Sequence, residues 1–116
     1  YGWYMTQYVQ ETLGKGAVPV VLSMIPRNIW KEGKVERVAD SYGKWAREVA
    51  EKSDASFIDL NELVAQKYEQ MGPDEVKAFF PGDHTHTNAS GARLNAETAV
   101  QGIRELKKCE LKAYLK

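Results

Sequence analysis

Apolar side chains recur along the chain with a helical spacing of three or four residues, and this spacing predicts four main helices. The apolar positions of these helices are Tyr1, Tyr4, Met5, Tyr8, Val9 and Leu13; Val35, Val38, Ala39, Tyr42, Trp45, Ala46, Val49 and Ala50; Leu60, Leu63, Val64, Tyr68 and Met71; and Ala92, Ala96, Ala99, Val100, Ile103 and Leu106. We expect each set to face the core, including the tyrosines of the first helix. Asn88 is the expected N-cap of the last helix.

Two short apolar runs lack the helical spacing and predict strands. Ala17–Met24 is almost unbroken and valine-rich, as in a strand buried on both faces, and Ser56–Leu60 is the second run. Residues 25–33 are expected to form a loop. Strands that alternate with helices predict an α/β fold with a parallel sheet. Two strands offer too little sheet surface for four amphipathic helices, so the pattern predicts part of a larger doubly wound domain.

Charge and composition exclude several classes of partner. The 116 residues carry 16 Lys and Arg against 16 Asp and Glu, a formal net charge of zero. Neither half is basic, so we expect neither a nucleic acid nor an anionic membrane surface as partner. No apolar run is long enough to span a bilayer. The single cysteine, Cys109, cannot form an internal disulfide or a thiol-based zinc site.

The densest polar cluster is residues 81–88, which contain both histidines of the chain. Asp83 and His86 lie three residues apart, so the carboxylate could hold the imidazole as a general base. Alternatively, Asp83, His84 and His86 could be three ligands of a catalytic zinc. A third interpretation is a solvated loop whose polar side chains cap turns and the next helix. The residues alone leave all three open.

A second candidate site follows the first predicted strand. Ligands of open α/β sheets bind beyond the carboxyl ends of the strands, and Arg27, Asn28 and Trp30 lie there. These side chains could bind a sugar ring, or Trp30 could close the edge of the core while Arg27 lies in solvent. At the same strand ends, Ser23 is expected to be a buried strand serine and Asp59 the cap of the following helix.

Asp83-His84-Thr85-His86-Thr87-Asn88-Ala89-Ser90-Gly91-Ala92 resembles the last conserved block of the SGNH (GDSL-like) hydrolases, and most closely the rhamnogalacturonan acetylesterase branch. Three further segments resemble that branch in the same order. They are Ala17–Trp30 with its Pro-Arg-Asn-x-Trp loop, Tyr42-Gly43-Lys44-Trp45-Ala46, and Phe57-Ile58-Asp59-Leu60. The resemblance therefore covers nearly the whole chain.

The resemblance implies a flavodoxin-like three-layer α/β/α fold, of which residues 1–116 would be the C-terminal part of a single domain. It implies a serine esterase that removes O-acetyl groups from pectic or related carbohydrate without a metal or organic cofactor. Asp83 and His86 would be the acid and base of its triad. His84 would be a neighbour of that pair, and Arg27, Asn28 and Trp30 would line the carbohydrate cleft.

The family carries its nucleophile in a Gly-Asp-Ser segment and its oxyanion-hole Gly and Asn in two further blocks, and none of these occurs in the chain. We therefore expect the isolated chain to be inactive and a further segment or second chain to supply the serine. We expect the whole protein to be secreted or periplasmic. The alternatives are a metal-dependent hydrolase that uses Asp83, His84 and His86, and a non-catalytic carbohydrate-binding fragment.

Overall fold

A computed structural model describes residues 1–37, 42–107 and 109–115 of the chain. The helices of the described residues are α1 (Gly2–Gly14), α2 (Tyr42–Lys52), α3 (Leu60–Met71), α4 (Pro73–Lys77) and α5 (Ala89–Glu105). The strands are β1 (Val20–Leu22), β2 (Trp30–Lys31), β3 (Lys34–Val35) and β4 (Ser56–Ile58). A short 3-10 helix spans Glu110–Tyr114. The order α1, β1, α2, β4, α3 and α5 is the one that the apolar spacing predicts, whereas β2 and β3 were not predicted.

Strands β1 and β4 pair in parallel, with Val20 opposite Ser56 and Leu22 opposite Ile58. This pairing agrees with the predicted parallel sheet and the α/β fold class. Strand β1 is shorter than the predicted run Ala17–Met24 because β4 offers only three residues for the ladder. The ladder ends as the backbone N–H of Ser23 donates to the carbonyl of Ile58 at 3.0 Å.

A β-hairpin occupies part of the segment that was expected to be a loop. Strands β2 and β3 are antiparallel, with Trp30 opposite Val35 and Lys31 opposite Lys34. The two residues between them, Glu32 and Gly33, have φ values of 53° and 78°, as a tight turn with left-handed residues requires. The expected helical role of Val35 is therefore wrong, since it is a buried residue of β3. Val38 and Ala39 lie outside the described residues.

The core is divided into two clusters. The larger cluster is built on α3 and joins it to β3, β4 and α4; its buried members are Val35, Ile58, Leu60, Val64, Ala65, Tyr68, Val76 and Phe80. The smaller cluster joins α1, β1 and α2; its buried members are Val9, Val21, Ala46, Val49 and Ala50. Each cluster includes a residue of the β1–β4 sheet, Ile58 in the larger cluster and Val21 in the smaller one. The sheet therefore contacts helices of both clusters.

The tyrosines of α1 do not face the core as expected. Tyr4 and Tyr8 are each more than 60% exposed, and helix α1 packs through Met5 and Val9 instead. Tyr1 meets the ring of Tyr42 edge-on, with 5.2 Å between the centroids. Trp45 completes this surface contact with Tyr1 and Tyr42. Tyr42 and Trp45 are each more than 40% exposed, so the expectation that they face the core is also wrong.

Helix α5 packs partly as the apolar spacing predicts, because Ala99, Ile103 and Leu106 lie partly buried against the larger cluster. Small residues form the rest of its buried face. Gly91, Thr98 and Gly102 are buried, whereas Ala92 and Ala96, which the apolar spacing assigned to the core, are exposed. A Cβ atom on Gly102 would lie only 2.5 Å from Cγ2 of Ile58, so the backbone of α5 directly contacts the side chain of β4. Among the described residues, no helix is long and apolar enough to cross a membrane.

Candidate active site

Residues 81–87, which contain the predicted catalytic pair and are called the active-site loop for that prediction, connect α4 to α5. Asn88 holds the end of this loop. The Asn88 side chain caps α5, since its Oδ1 accepts from the backbone N–H of Gly91 at 3.0 Å. Its Nδ2 donates to the carbonyl of Ala78 at 2.8 Å, and its backbone N–H donates to the carbonyl of Phe79 at the same distance. The predicted cap is therefore confirmed, and it also fastens the loop to the end of α4.

Asp83 organises the loop through both carboxylate oxygens. Oδ1 accepts from the backbone N–H groups of Thr85 and His86, each at 2.7 Å, while Oδ2 lies 2.8 Å from Nδ1 of His86. These bonds, with the His86 ring first in importance, hold the pKa of Asp83 well below its usual range. The carboxylate therefore stays ionised near neutral pH.

His86 turns Nδ1 toward Asp83, which leaves Nε2 as the nitrogen available to another group. An ionised carboxylate only accepts hydrogen bonds, so in the neutral ring the proton resides on Nδ1 and Nε2 has a free lone pair. The His86 side chain is 83% exposed among the described residues. Such a nitrogen can take a proton from a hydroxyl brought against it.

His84 points its ring to a different partner from His86. Its Nδ1 lies 3.0 Å from the hydroxyl of Thr85. Within residues 1–37, 42–107 and 109–115, no group of three or more His, Cys, Asp or Glu side chains is arranged to hold a metal ion. Asp83, His84 and His86 therefore do not form the three-ligand site considered from the sequence.

The loop after β1 meets the active-site loop through its backbone. The N–H of Asn28 donates to the carbonyl of His84 at 2.8 Å, and the indole N–H of Trp30 donates to Oδ1 of Asn28 at 2.7 Å. Trp30 packs partly buried against the larger core cluster, while Arg27 is exposed. The structure thus ties Asn28, and through it Trp30, to the active-site loop. The contact of Arg27, Asn28 and Trp30 with a sugar stays a prediction.

Ser23 and Asp59 meet where β1 and β4 end. The Ser23 hydroxyl donates to Oδ1 of Asp59 at 2.8 Å and accepts from the backbone N–H of Asn61 at 2.9 Å. Ser23 is buried, and Asp59 caps α3 by accepting from the N–H of Glu62, so both predictions are confirmed. Arg47, which no sequence pattern singled out, donates to the other oxygen of Asp59 at 3.0 Å.

Sequence reasoning missed the two backbone contacts that fix the active-site loop, Asn28 with His84 and Asn88 with Phe79. Each joins a backbone N–H to a backbone carbonyl. Every residue carries the carbonyl, and every residue except proline carries the N–H. No pattern of side chains therefore signals them. The Asp83–His86 contact, in contrast, depends on two side chains three residues apart and is predictable from their spacing.

No protein-family model matches the chain. The curated relatives include a rhamnogalacturonan acetylesterase from Emericella nidulans, 31% identical over 91 residues, and the rhamnogalacturonan acetylesterase RhgT from Bacillus subtilis, 29% identical over 118. These matches cover 78% and 89% of the chain but only 37% and 51% of the relatives. The chain thus spans about half or less of the length of the curated relatives it matches.

The crystal structure of the protein YxiM from Bacillus subtilis matches the fold with a TM-score of 0.81 and 26% identity. The match covers 89% of this chain and 30% of YxiM. The resemblance to the rhamnogalacturonan acetylesterases and the predicted α/β fold class are therefore both confirmed.

Proposed function

We propose that this chain, which is homologous to part of the rhamnogalacturonan acetylesterases of the SGNH hydrolase family, belongs to a serine esterase that removes O-acetyl groups from pectic or related carbohydrate. Residues 1–116 would be the C-terminal part of one SGNH domain. A segment outside these residues would supply the nucleophilic serine, because the 116 residues contain no Gly-Asp-Ser segment.

Asp83 and His86 are the acid and base of the proposed mechanism. Nε2 of His86 takes the proton of the serine hydroxyl as the serine oxygen attacks the acetyl carbonyl carbon. Asp83 stabilises the imidazolium that forms. His86 then gives the proton to the departing sugar oxygen, which leaves an acetylated serine. In the second half, His86 takes a proton from water, the resulting hydroxide displaces the serine, and acetate is released as the serine regains its proton.

One observation carries the proposal: the 2.8 Å contact between Nδ1 of His86 and Oδ2 of Asp83, with the rest of the imidazole exposed. Homology to proteins named as acetylesterases supports the reaction class. The backbone N–H groups that bind Asp83 support the orientation of the pair, because they fix the carboxylate before substrate arrives.

The substitution His86→Ala in the complete protein that carries this chain tests the base. We expect kcat for acetate release to fall by about 10³-fold or more, because the base is removed and the rest of the site remains. Added imidazole should restore part of the rate, which a purely structural role of His86 would not allow. Near-normal turnover by the variant would overturn the assignment.

The position of the nucleophile is tested with a serine-reactive fluorophosphonate probe on the same complete protein. We expect one labelled serine, outside residues 1–116, and slower labelling in the His86→Ala variant because the serine hydroxyl loses its base. Peptide mapping by mass spectrometry identifies the labelled position. Labelling of Ser23 or of another serine within the 116 residues would contradict the proposal.

A further inference from the structure

Gly91, in the first turn of α5, packs against the chain on both sides of the active-site histidine. A Cβ atom placed on Gly91 would lie 2.9 Å from Cβ of Phe79, just after α4, and 2.9 Å from Cβ of Thr87, which follows His86. Carbon atoms that are not bonded pack best at about 3.5–4.0 Å, so no side chain fits at this position. Gly91 does not have a positive φ, so space rather than backbone conformation requires the glycine.

Rotation of the neighbouring side chains cannot relieve this overlap. A Cβ atom is bonded directly to the backbone and does not move with χ1, so Phe79 or Thr87 would have to move as a whole. Phe79 packs on the larger core cluster and is followed by the buried Phe80. Thr87 belongs to the exposed active-site loop. An added Cβ atom would therefore displace Thr87 first, and His86 with it.

Helix α5 is held by the core on the other side of this contact. Oδ1 of Asn95, about one turn after Gly91, accepts from the hydroxyl of the buried Tyr68 at 3.2 Å. Thr98 and Gly102, farther along α5, are buried. The position of the first turn of α5 is thus set by the core, and the active-site loop packs on that turn at Gly91.

From this packing we propose that Gly91 is a positioning residue for His86, because its lack of a side chain lets α5 fix the place of the loop that carries the base. The inference rests on the proposed esterase function. Asp83 orients the imidazole within the loop, through the 2.8 Å contact with Nδ1, whereas Gly91 places the loop against the core. A base must lie within hydrogen-bond reach of the hydroxyl that it deprotonates, so displacement of the loop lowers the rate of the chemical step.

The substitution Gly91→Ala in the complete protein tests the inference. We expect kcat for acetate release to fall about 10- to 100-fold, since misplacement of reacting groups by up to about 1 Å has effects of this size. KM should change less than about threefold, because the base acts in the chemical step. Ala96→Gly is the matched control: Ala96 is exposed on α5, eight residues beyond the cap at Asn88. This change weakens the helix but should leave kcat within about twofold.

The His86→Ala background separates positioning from a general loss of structure. The base is absent there, so Gly91→Ala should lower the imidazole-assisted rate less than about twofold. Equal falls in the two backgrounds, or an unchanged kcat in Gly91→Ala alone, would overturn the inference.

Thr87→Ala is a second variant, which keeps the inference testable if Gly91→Ala does not fold. It removes the γ atoms that pack on Gly91 and introduces no overlap. We expect kcat to fall about threefold with His86 present and to stay within about twofold in the His86→Ala background. An equal change in both backgrounds would count against the positioning role.

Amide hydrogen exchange separates this inference from the proposed reaction. The backbone N–H of His86 donates to Oδ1 of Asp83 at 2.7 Å, and exchange requires that this bond opens. In Gly91→Ala, exchange at His86, measured by NMR without substrate, should become about tenfold faster, while exchange at Tyr68 in α3 stays unchanged. Faster exchange at His86 alone supports the positioning role even if no acetate is released. Unchanged exchange overturns it, and acetate release that still depends on His86 would then leave the esterase function standing.

Discussion

Asp83 with His86 and Glu69 with Arg37 each join a carboxylate to a nitrogen donor, and the two pairs lie in opposite settings. The first joins side chains three residues apart in an exposed loop, at 2.8 Å. The second joins side chains 32 residues apart, at 2.6 Å, and its Glu69 side chain is only 14% exposed. In each pair, hydrogen bonds lower the pKa of the carboxyl group, to about 2 for Glu69.

The difference lies in what each pair connects. Glu69 on α3 also accepts from the backbone N–H of Val35 at 2.9 Å, and Arg37 donates to the carbonyl of Val35 at 2.8 Å. This network fastens the β2–β3 hairpin to α3. Asp83 binds only residues of its own loop in the contacts described above. We infer that the first pair serves proton transfer and the second serves stability, and the two should separate under substitution.

The largest expected effect is that of Asp83→Asn on the rate. The amide cannot stabilise an imidazolium and favours the wrong tautomer of His86, so kcat should fall by about 10²- to 10⁴-fold. The free energy of unfolding of the complete protein, from urea titration, should change little. Asp54→Asn is the matched control: Asp54 is exposed with a φ of 56°, which asparagine also adopts readily. A loss of rate below about threefold in Asp83→Asn would contradict the assignment of the Asp83–His86 pair to proton transfer.

The next effect is that of Arg37→Ala on stability. Removal of the guanidinium leaves Glu62 and Glu69 without their shared partner, so the free energy of unfolding should fall by about 2 kcal/mol. The Lys34→Ala control removes a side chain that is 77% exposed and 4.0 Å from Glu69, and should cost less than about 0.5 kcal/mol. Equal effects of the two substitutions in urea titrations would contradict the assigned role.

The pH dependence of unfolding sharpens the same contrast. The pKa of Glu69 is about 2 in the folded protein against an ordinary value of 4.5, so ionised Glu69 favours the folded state. This stabilisation is fully present above about pH 4.5 and is lost as pH falls toward 2. Glu69→Gln should therefore flatten the fall of unfolding free energy between pH 4.5 and 2. An unchanged slope in that window, measured by urea titration at each pH, would refute the role of Glu69.

The smallest effect is expected for Trp30→Phe. Phenylalanine keeps an aromatic ring against the core but cannot donate to Asn28, so about 1 kcal/mol of stability should be lost. Because Asn28 also binds His84, KM for the carbohydrate should rise about two- to threefold while kcat stays within about twofold. A fall in kcat comparable to that of Asp83→Asn would show that Trp30 acts on the chemistry itself.

The sequence predicts the alternation of helices and strands, the caps at Asp59 and Asn88, and the contact between Asp83 and His86. Each of these depends on residues within a few positions of each other. The β2–β3 hairpin was missed because Val35 fits the helical spacing of the residues that follow it. Glu32-Gly33 is also a weaker turn signal than Asn-Gly or Asp-Gly. The Arg37–Glu69 pair was missed because spacing carries no information about charges 32 residues apart.

The core face of α5 shows a different limit. Apolar spacing finds Ala99, Ile103 and Leu106, which lie partly buried against the larger cluster. It misses Gly91, Thr98 and Gly102, which are the buried residues of this helix. Glycine has no side chain to contribute to such a pattern, and Gly102 permits the close contact of α5 with Ile58. This close packing depends on the positions of both α5 and β4, so the sequence of α5 alone does not predict it.

Because Gly102 has no side chain, the backbone of α5 packs directly on Ile58 of β4, and a change at this contact would tilt the whole helix. Gly102 lies 14 residues from the cap at Asn88, or about 21 Å along the helix axis. A tilt of about 5° about this contact would displace the far end by on the order of 2 Å. Errors of about 1 Å in the placement of reacting groups lower rates by about 100-fold. The packing at Gly102 therefore contributes to the placement of the loop that holds His86, together with the bonds made by Asp83, Asn28 and Asn88.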